Sequence, residues 1–293
     1  MKLRNILMAV ATMGVMFASA DRTGVVGYTA GDYDDMNKYP HNASGQNLAF
    51  VNEGESFETV WTDAGTTWGF AGGGNESLVD MLWANGTFGL SLGVNMDSGS
   101  VGGDDAETTM DIGVGMNVAG YDVGFHMGTA DGADMNLWAR GALGFWAFDT
   151  MEFNYMSNDD VAHIDVNMYG VKEWGAATGM FAMGFESTDK YTAVFGDDAA
   201  TLLTTGMSVE STLTDWCDLR IGYDRKFNFA AEDGGTESWE AFHAGVGFNL
   251  GSVQLDMTLS DGTLGNMMSN PLNYISGYNS DALTGSWTLS YTW

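Results

Sequence analysis

The chain has 293 residues, with ten Lys+Arg against 39 Asp+Glu and a formal net charge of −29. So few cations argue against nucleic acid as a partner, because phosphate neutralisation needs basic residues, and 13% aromatic residues exclude intrinsic disorder. Only 17% of residues are charged while 41 are Gly, the usage of a strand-rich chain with tight turns, and the single cysteine, Cys217, cannot form an internal disulfide.

At the start of the chain, Lys2 and Arg4 precede an apolar run from Ile6 to Phe17 that closes on Ala18-Ser19-Ala20. The order is that of a secretory signal peptide over residues 1–20 with an A-x-A cleavage site. The run is short of the roughly 20 apolar residues that a membrane-spanning helix needs. Cleavage would start the mature chain at Asp21 and, by removing Lys2 and Arg4, take the net charge to −31. Every later apolar stretch is broken within a few positions by a charge, Gly or Asn, so a membrane crossing would have to use strands.

Residues 21–46 contain Pro40 and few apolar positions, and read as an irregular periplasmic lead-in or a short plug; His41 carries no signal there. From residue 47 to 293 the chain reads as one β-barrel domain. Weak strand candidates at Asn47–Val51 and Phe57–Thr62 are followed by one at Thr66–Gly72. Leu90, Leu92, Val94 and Met96 then alternate with Ser91, Gly93 and Asn95, and Met110, Ile112, Val114, Met116 and Val118 alternate with Asp111, Gly113, Gly115 and Asn117. Tyr121, Val123, Phe125 and Met127 follow after Ala119-Gly120, a connection short enough to imply an antiparallel hairpin. The same period of two runs through Met151/Phe153/Tyr155, Ile164/Val166/Met168, Leu219/Ile221/Tyr223, Phe242/Ala244/Val246/Phe248 and Val253/Leu255/Met257/Leu259.

Connections alternate in length. Tight links near Ala84-Asn85-Gly86, Ala119-Gly120, Phe148-Asp149-Thr150 and Gly251 interleave with acidic ones at Asp97–Glu107, Ala130–Asp134, Thr188–Ala200, Ala230–Thr236 and Asp261–Asp281. Short periplasmic turns against longer external loops are the habit of transmembrane barrels, and counting hairpins backwards gives about sixteen strands, with about fourteen as the alternative. A soluble β-sandwich or propeller would not require that alternation.

The final strand places Trp287, Leu289, Tyr291 and Trp293 opposite Ser286, Thr288, Ser290 and Thr292. A terminal aromatic preceded by apolar residues at every second position resembles the C-terminal signature by which bacterial outer-membrane barrels are recognised for insertion. The resemblance covers about the last ten residues. It implies an all-β, antiparallel up-and-down transmembrane barrel of Gram-negative bacteria, porin-like in pattern, with outer-membrane lipid and the barrel-assembly machinery as partners. Trp61, Trp68, Trp83, Tyr121, Tyr223, Trp239 and Trp293 suit interfacial aromatic girdles.

If the apolar face meets lipid, alternation assigns the other face to the lumen. The inward carboxylates are Asp80, Asp111, Asp122, Glu152, Asp165, Glu210, Asp224 and Asp256, and the inward bases are Arg140, Arg220 and Lys226. His126, His163 and His243 also face inward. Acids outnumber bases too far for salt bridges to pair them all, so a wet, cation-attracting lumen is favoured over a packed one. Inward Gly113, Gly115, Gly124 and Gly245 leave room for water or solute, or serve strand curvature. Asp–His pairs invite comparison with a hydrolytic dyad, but no nucleophile elbow, H-E-x-x-H or C-x-x-C spacing supports a catalytic or metal site. Gly102–Asp105, Asp131–Asp134, Asn158–Asp160 and Asp197-Asp198 lack the EF-hand order and read as solvated loops.

The sequence therefore points to a non-enzymatic channel, without cofactor, for passive diffusion of small hydrophilic solutes with cations preferred, and leaves a homo-oligomer open. The alternatives are a transporter of hydrophobic compounds with a plugged lumen, for which Trp138, Trp146 and Met180 are the only apolar lumen candidates, and a structural or adhesive surface barrel.

Overall fold

Sixteen antiparallel strands, each hydrogen-bonded to its neighbours in sequence, close into a barrel in the computed structural model. The structure describes residues 20–27, 35–53, 55–73, 77–96, 108–158, 161–189, 200–229, 237–261 and 284–293. The acidic stretches 102–105, 159–160 and 197–198, and most of the 261–281 connection, lie outside them. The strands are β1 (Leu48–Asn52), β2 (Ser56–Asp63), β3 (Thr66–Gly73), β4 (Ser77–Ala84), β5 (Phe88–Met96), β6 (Thr108–Val118), β7 (Tyr121–Gly128) and β8 (Met135–Phe145). They continue as β9 (Phe148–Ser157), β10 (Ala162–Trp174), β11 (Ala177–Thr188), β12 (Ala200–Thr214), β13 (Cys217–Asn228), β14 (Glu237–Leu250), β15 (Val253–Asp261) and β16 (Thr284–Thr292). The weak candidates near residues 47–51 and 57–62 are thus real strands, β1 and β2. Closure comes from β1 on β16, with Val51 opposite Leu289 and Ala49 opposite Tyr291, so neither terminal strand offers an unpaired edge.

One end of the barrel carries tight turns: Ala64-Gly65, Ala119-Gly120, Trp146-Ala147, Gly175-Ala176, Asp215-Trp216 and Gly251-Ser252. Ala119 and Gly120 take φ values of 55° and 88°, the left-handed pair that a type I′ hairpin needs. The β8–β9 link is at Trp146-Ala147; Phe148, Asp149 and Thr150, assigned to the turn from the sequence, open β9 instead. A solvent-exposed Trp at φ 55° is an unusual turn residue, which is why the polar Asp149 drew the assignment two positions too far. The longer connections gather at the opposite end, called here the loop end.

The outer face is apolar and uncovered: Leu90, Ile112, Met151, Ile164, Phe185, Ile221 and Leu289 are all exposed. A contiguous exposed apolar belt of this kind is not tolerated by water-facing monomers and marks a surface made for another apolar phase. Trp61, Trp68, Tyr121, Tyr291 and Trp293 lie on this face and are exposed, and the half-buried Trp287 shares it by pairing opposite Met257. Trp239 does not: it pairs directly with Lys226, and directly opposed residues share a face, so it points inward.

The inner face carries the small core. A short helix α1 (Ala20–Val26), a single helical turn α2 (Asp35–Lys38) and a 3-10 turn (Pro40–Ala43) lie inside the barrel. Met36 and Ala43 bury themselves against inward-facing Leu48, Phe50, Val60, Leu82 and Ala84. This apolar patch on β1, β2 and β4 was not evident in the sequence, because each of these strands contributes only one or two of its residues. Trp146, considered a lumen residue from the sequence, is 88% exposed in its turn.

Candidate functional site

The inner wall and the N-terminal insert form one charge system. The insert has two limbs: residues 20–27 run along β12–β15, and residues 35–43 run along β4–β7. Glycines make room for the backbone of both. A Cβ at Gly89 would collide with Pro40 and His41, one at Gly124 with the Lys38 carbonyl, and one at Gly222 with the Val25 carbonyl. Gly115 and Gly245 similarly abut Pro40 and Val25. The inward glycines therefore serve close backbone approach at these positions, not empty space.

The second limb is pinned by charge. Arg140 on β8 donates to Asp35 at 2.7 Å and to Asp122 on β7 at 3.1 Å. Asp122 is also 3.0 Å from Nε2 of His41, a residue 4% exposed. Lys38 donates to Glu152 on β9 at 2.8 Å. The Arg140 guanidinium stacks over the Tyr39 ring at 4.7 Å. Tyr39 is fully buried with no partner for its hydroxyl, and burial raises its phenol above the ordinary tyrosine value.

The first limb buries Val25 and Val26 inside the barrel. Arg22 reaches Glu210 on β12 at 2.8 Å, and Ser208 donates to the Val26 carbonyl at 2.9 Å. Glu210 is simultaneously bound by Arg220 on β13 at 2.6 Å, and Arg220 also contacts Asp256 on β15. Arg220 spans the intervening strand because Gly247 leaves the path clear: a Cβ there would come within 2.6 Å of its Nη2.

Two cavities lie on the loop side of the insert. One, of about 400 Å³, is floored by Gly24–Gly27 and walled by His163, Asp165, Glu186, Asp224, Lys226 and His243. Within it Lys226 donates to Glu186 at 2.8 Å, His243 lies 2.7 Å from Asp224, and His163 lies 3.3 Å from Asp165. The other, of about 590 Å³, is lined among others by Glu58, Asp80, Asp111, His126 and Trp138. Asp111 accepts from Asn95 at 2.9 Å. Among the described residues, no three His, Cys, Asp or Glu side chains are arranged to hold a metal ion.

All the charged and imidazole residues assigned inward by alternation are thus on the inner face, but in different settings. Asp80, Asp111 and His126 share one cavity, and His163, Asp165, Asp224, Lys226 and His243 the other. Asp122, Arg140, Glu152, Glu210, Arg220 and Asp256 are tied into ion pairs nearer the turn end. Counting only strand residues missed Arg22, Lys38, Asp35 and His41, which the insert supplies, and Glu186, which continues the inward positions of β11. Asp35, Glu186 and Glu58 add three acids against the two bases Arg22 and Lys38, so the excess of acids over bases in the lumen is no smaller than strand alternation indicates. Glu186 was findable, since it falls in phase with Met180 and Ala182; the insert contacts carry no period to read.

No protein-family model and no curated protein matches the sequence. Among solved structures the chain is similar to a bacterial polysaccharide outer membrane secretin, with TM-score 0.53 and 9% identity over 86% of this chain and 99% of that one. It is also similar to a porin, with TM-score 0.51 and 12% identity over 84% of this chain and 99% of that one. At these identities the likeness is one of fold: the chain is a closed, sixteen-stranded up-and-down barrel of the architecture that outer-membrane porins use.

Proposed function

We propose that this barrel resides in the bacterial outer membrane and passes small hydrophilic solutes passively, with cations preferred. The observation that carries the reading is the inversion of polarity: exposed Ile, Leu, Phe and Met outside, and carboxylates, imidazoles and bases inside. Such a wall separates lipid from water, and carboxylates in the loop-side cavities, where low-dielectric walls focus their field, attract cations. Export through a signal peptide and an aromatic-ended last strand agree with this location. The His163–Asp165 and His243–Asp224 pairs are read as lumen lining, not as catalytic dyads.

The insert in the lumen favours a second reading, a plugged transporter of hydrophobic compounds. Against it, the apolar inner patch is filled by Met36 and Ala43, and both open cavities carry several charged groups. Liposome swelling separates the two: the reconstituted mature protein should admit lysine faster than glutamate of similar size. Equal exclusion of both by a correctly inserted barrel would sink the diffusion reading.

A further inference from the structure

We propose that the first limb of the insert, residues 20–27, is a displaceable stopper latched by Arg22 on Glu210, whereas the second limb, residues 35–43, is a permanent part of the wall. The inference rests on the pore reading above and names the gate of that pore.

The two limbs differ in what each would uncover on leaving the wall. Beneath the second limb lie Leu48, Phe50, Val60, Leu82 and Ala84, with Met36 and Ala43 packed into them. Water on that patch is unfavourable. Lifting the limb would also take the buried Asp35 from Arg140, a separation of buried charges that is strongly resisted. Only four residues separate this limb from β1, so it has little freedom to leave.

Beneath the first limb the wall is polar or bare: Ser208, Gly222, Gly245, Thr258 and the Arg220 cluster. That surface is fit for water. Without the limb Arg220 still holds both Glu210, at 2.6 Å, and Asp256, so neither carboxylate is left without a cation while the cluster gains one net negative charge. The latch itself is reachable by solvent, with 16% of the Arg22 side chain and 21% of the Glu210 side chain exposed. The pair is bidentate, Nε to Oε2 at 2.8 Å and Nη2 to Oε1 at 3.2 Å, so it fixes the limb in one place while water can still reach and exchange it. Signal cleavage before Asp21 would, in addition, give this limb a free end.

Departure of the limb removes the floor of the cavity that holds Asp165, Glu186 and Asp224. That cavity then becomes continuous with the turn end past Glu210 and Asp256, an acid-lined path along β10–β15. The gate and the cation preference thus share one side of the lumen.

The test is single-channel recording of the mature chain beside two variants, deletion of residues 21–27 and Arg22→Gln. The deletion should give a steady conductance several times that of the full chain, and Arg22→Gln should raise the open-to-closed ratio about fivefold, the worth of one partly exposed ion pair. Equal conductance of the full and deleted chains overturns the stopper and leaves the pore intact. Silence of all three, as heat-resistant inserted barrels, overturns the pore reading and the stopper with it. Should the deletion not fold, a Ser208→Cys probe in a Cys217→Ser background decides. Its labelling by a membrane-impermeant maleimide should be faster with Arg22→Gln, and an unchanged rate contradicts the stopper.

Discussion

Arg140 and Asp35 form a buried ion pair, Nη1 to Oδ1 at 2.7 Å with 6% and 3% of their side chains exposed, and through it the insert is fastened to β8. Removing one member of such a pair leaves the other as an uncompensated buried charge, at a cost of about 3–5 kcal/mol. Arg140→Ala should lower the temperature at which the folded barrel is lost on heat-shift gels. Arg140→Lys should recover part of it, since a point charge cannot serve Asp35 and Asp122 together in the forked geometry.

Gly124 and Gly206 both face inward, and they should respond differently to a side chain. A Cβ at Gly124 meets the Lys38 carbonyl, whereas at Gly206 the nearest atom is 3.6 Å away. Gly124→Val should displace the second limb and lower thermal resistance, and overpacking of this kind typically costs about 1–3 kcal/mol. Gly206→Ala should be close to neutral. Equal tolerance at both positions would mean that the limb does not rest on β7.

Tyr39 provides a pH signature outside the strands. Its phenol is held neutral in the fold by burial, chiefly, and by Glu152, while in the unfolded chain it titrates near 10.0. Because the folded value is the higher of the two, stability is intact below pH 10 and falls as pH rises above it, where only the unfolded chain ionises readily. Tyr39→Phe removes both the effect and the unpaired hydroxyl. It should be more stable than the parent at pH 7, by up to about 1–3 kcal/mol for the unpaired hydroxyl, and lose less stability between pH 10 and 11 in a denaturant titration.

The carboxylates of the lumen divide by setting. Asp165 and Asp224 face an open cavity, while Asp122 is occupied by Arg140 and His41 beneath the insert. Asp165→Asn and Asp224→Asn should each move the reversal potential in a salt gradient toward zero, and Asp165→Asn should also cost some stability because its carboxylate accepts from Asn154 at 2.9 Å and Asn167 at 2.7 Å. Asp122→Asn should instead weaken the seating of the insert.

The barrel was legible because period-two alternation survives in nearly every strand, from Met110–Val118 to Trp287–Trp293, and because turn and loop lengths alternate with it. A face exposed to lipid needs no partner, so its pattern stays strict. The insert was not legible for the opposite reason: Arg22, Lys38 and His41 act through contacts more than 80 residues away in sequence, with no period to announce them. Their only trace was the run of inward glycines, Gly115, Gly124 and Gly245, which reads equally as room for solute. Trp239 followed the habit of aromatic girdles on composition, and only its pairing with Lys226 shows the face it occupies.

The most direct test of the account is the reversal potential of the refolded mature protein in a planar bilayer under a potassium chloride gradient. Stable conductance with a potential of the sign set by potassium, reduced in Asp165→Asn, is the predicted result. A conducting barrel that favours chloride, or a folded and inserted barrel that never conducts, would contradict it.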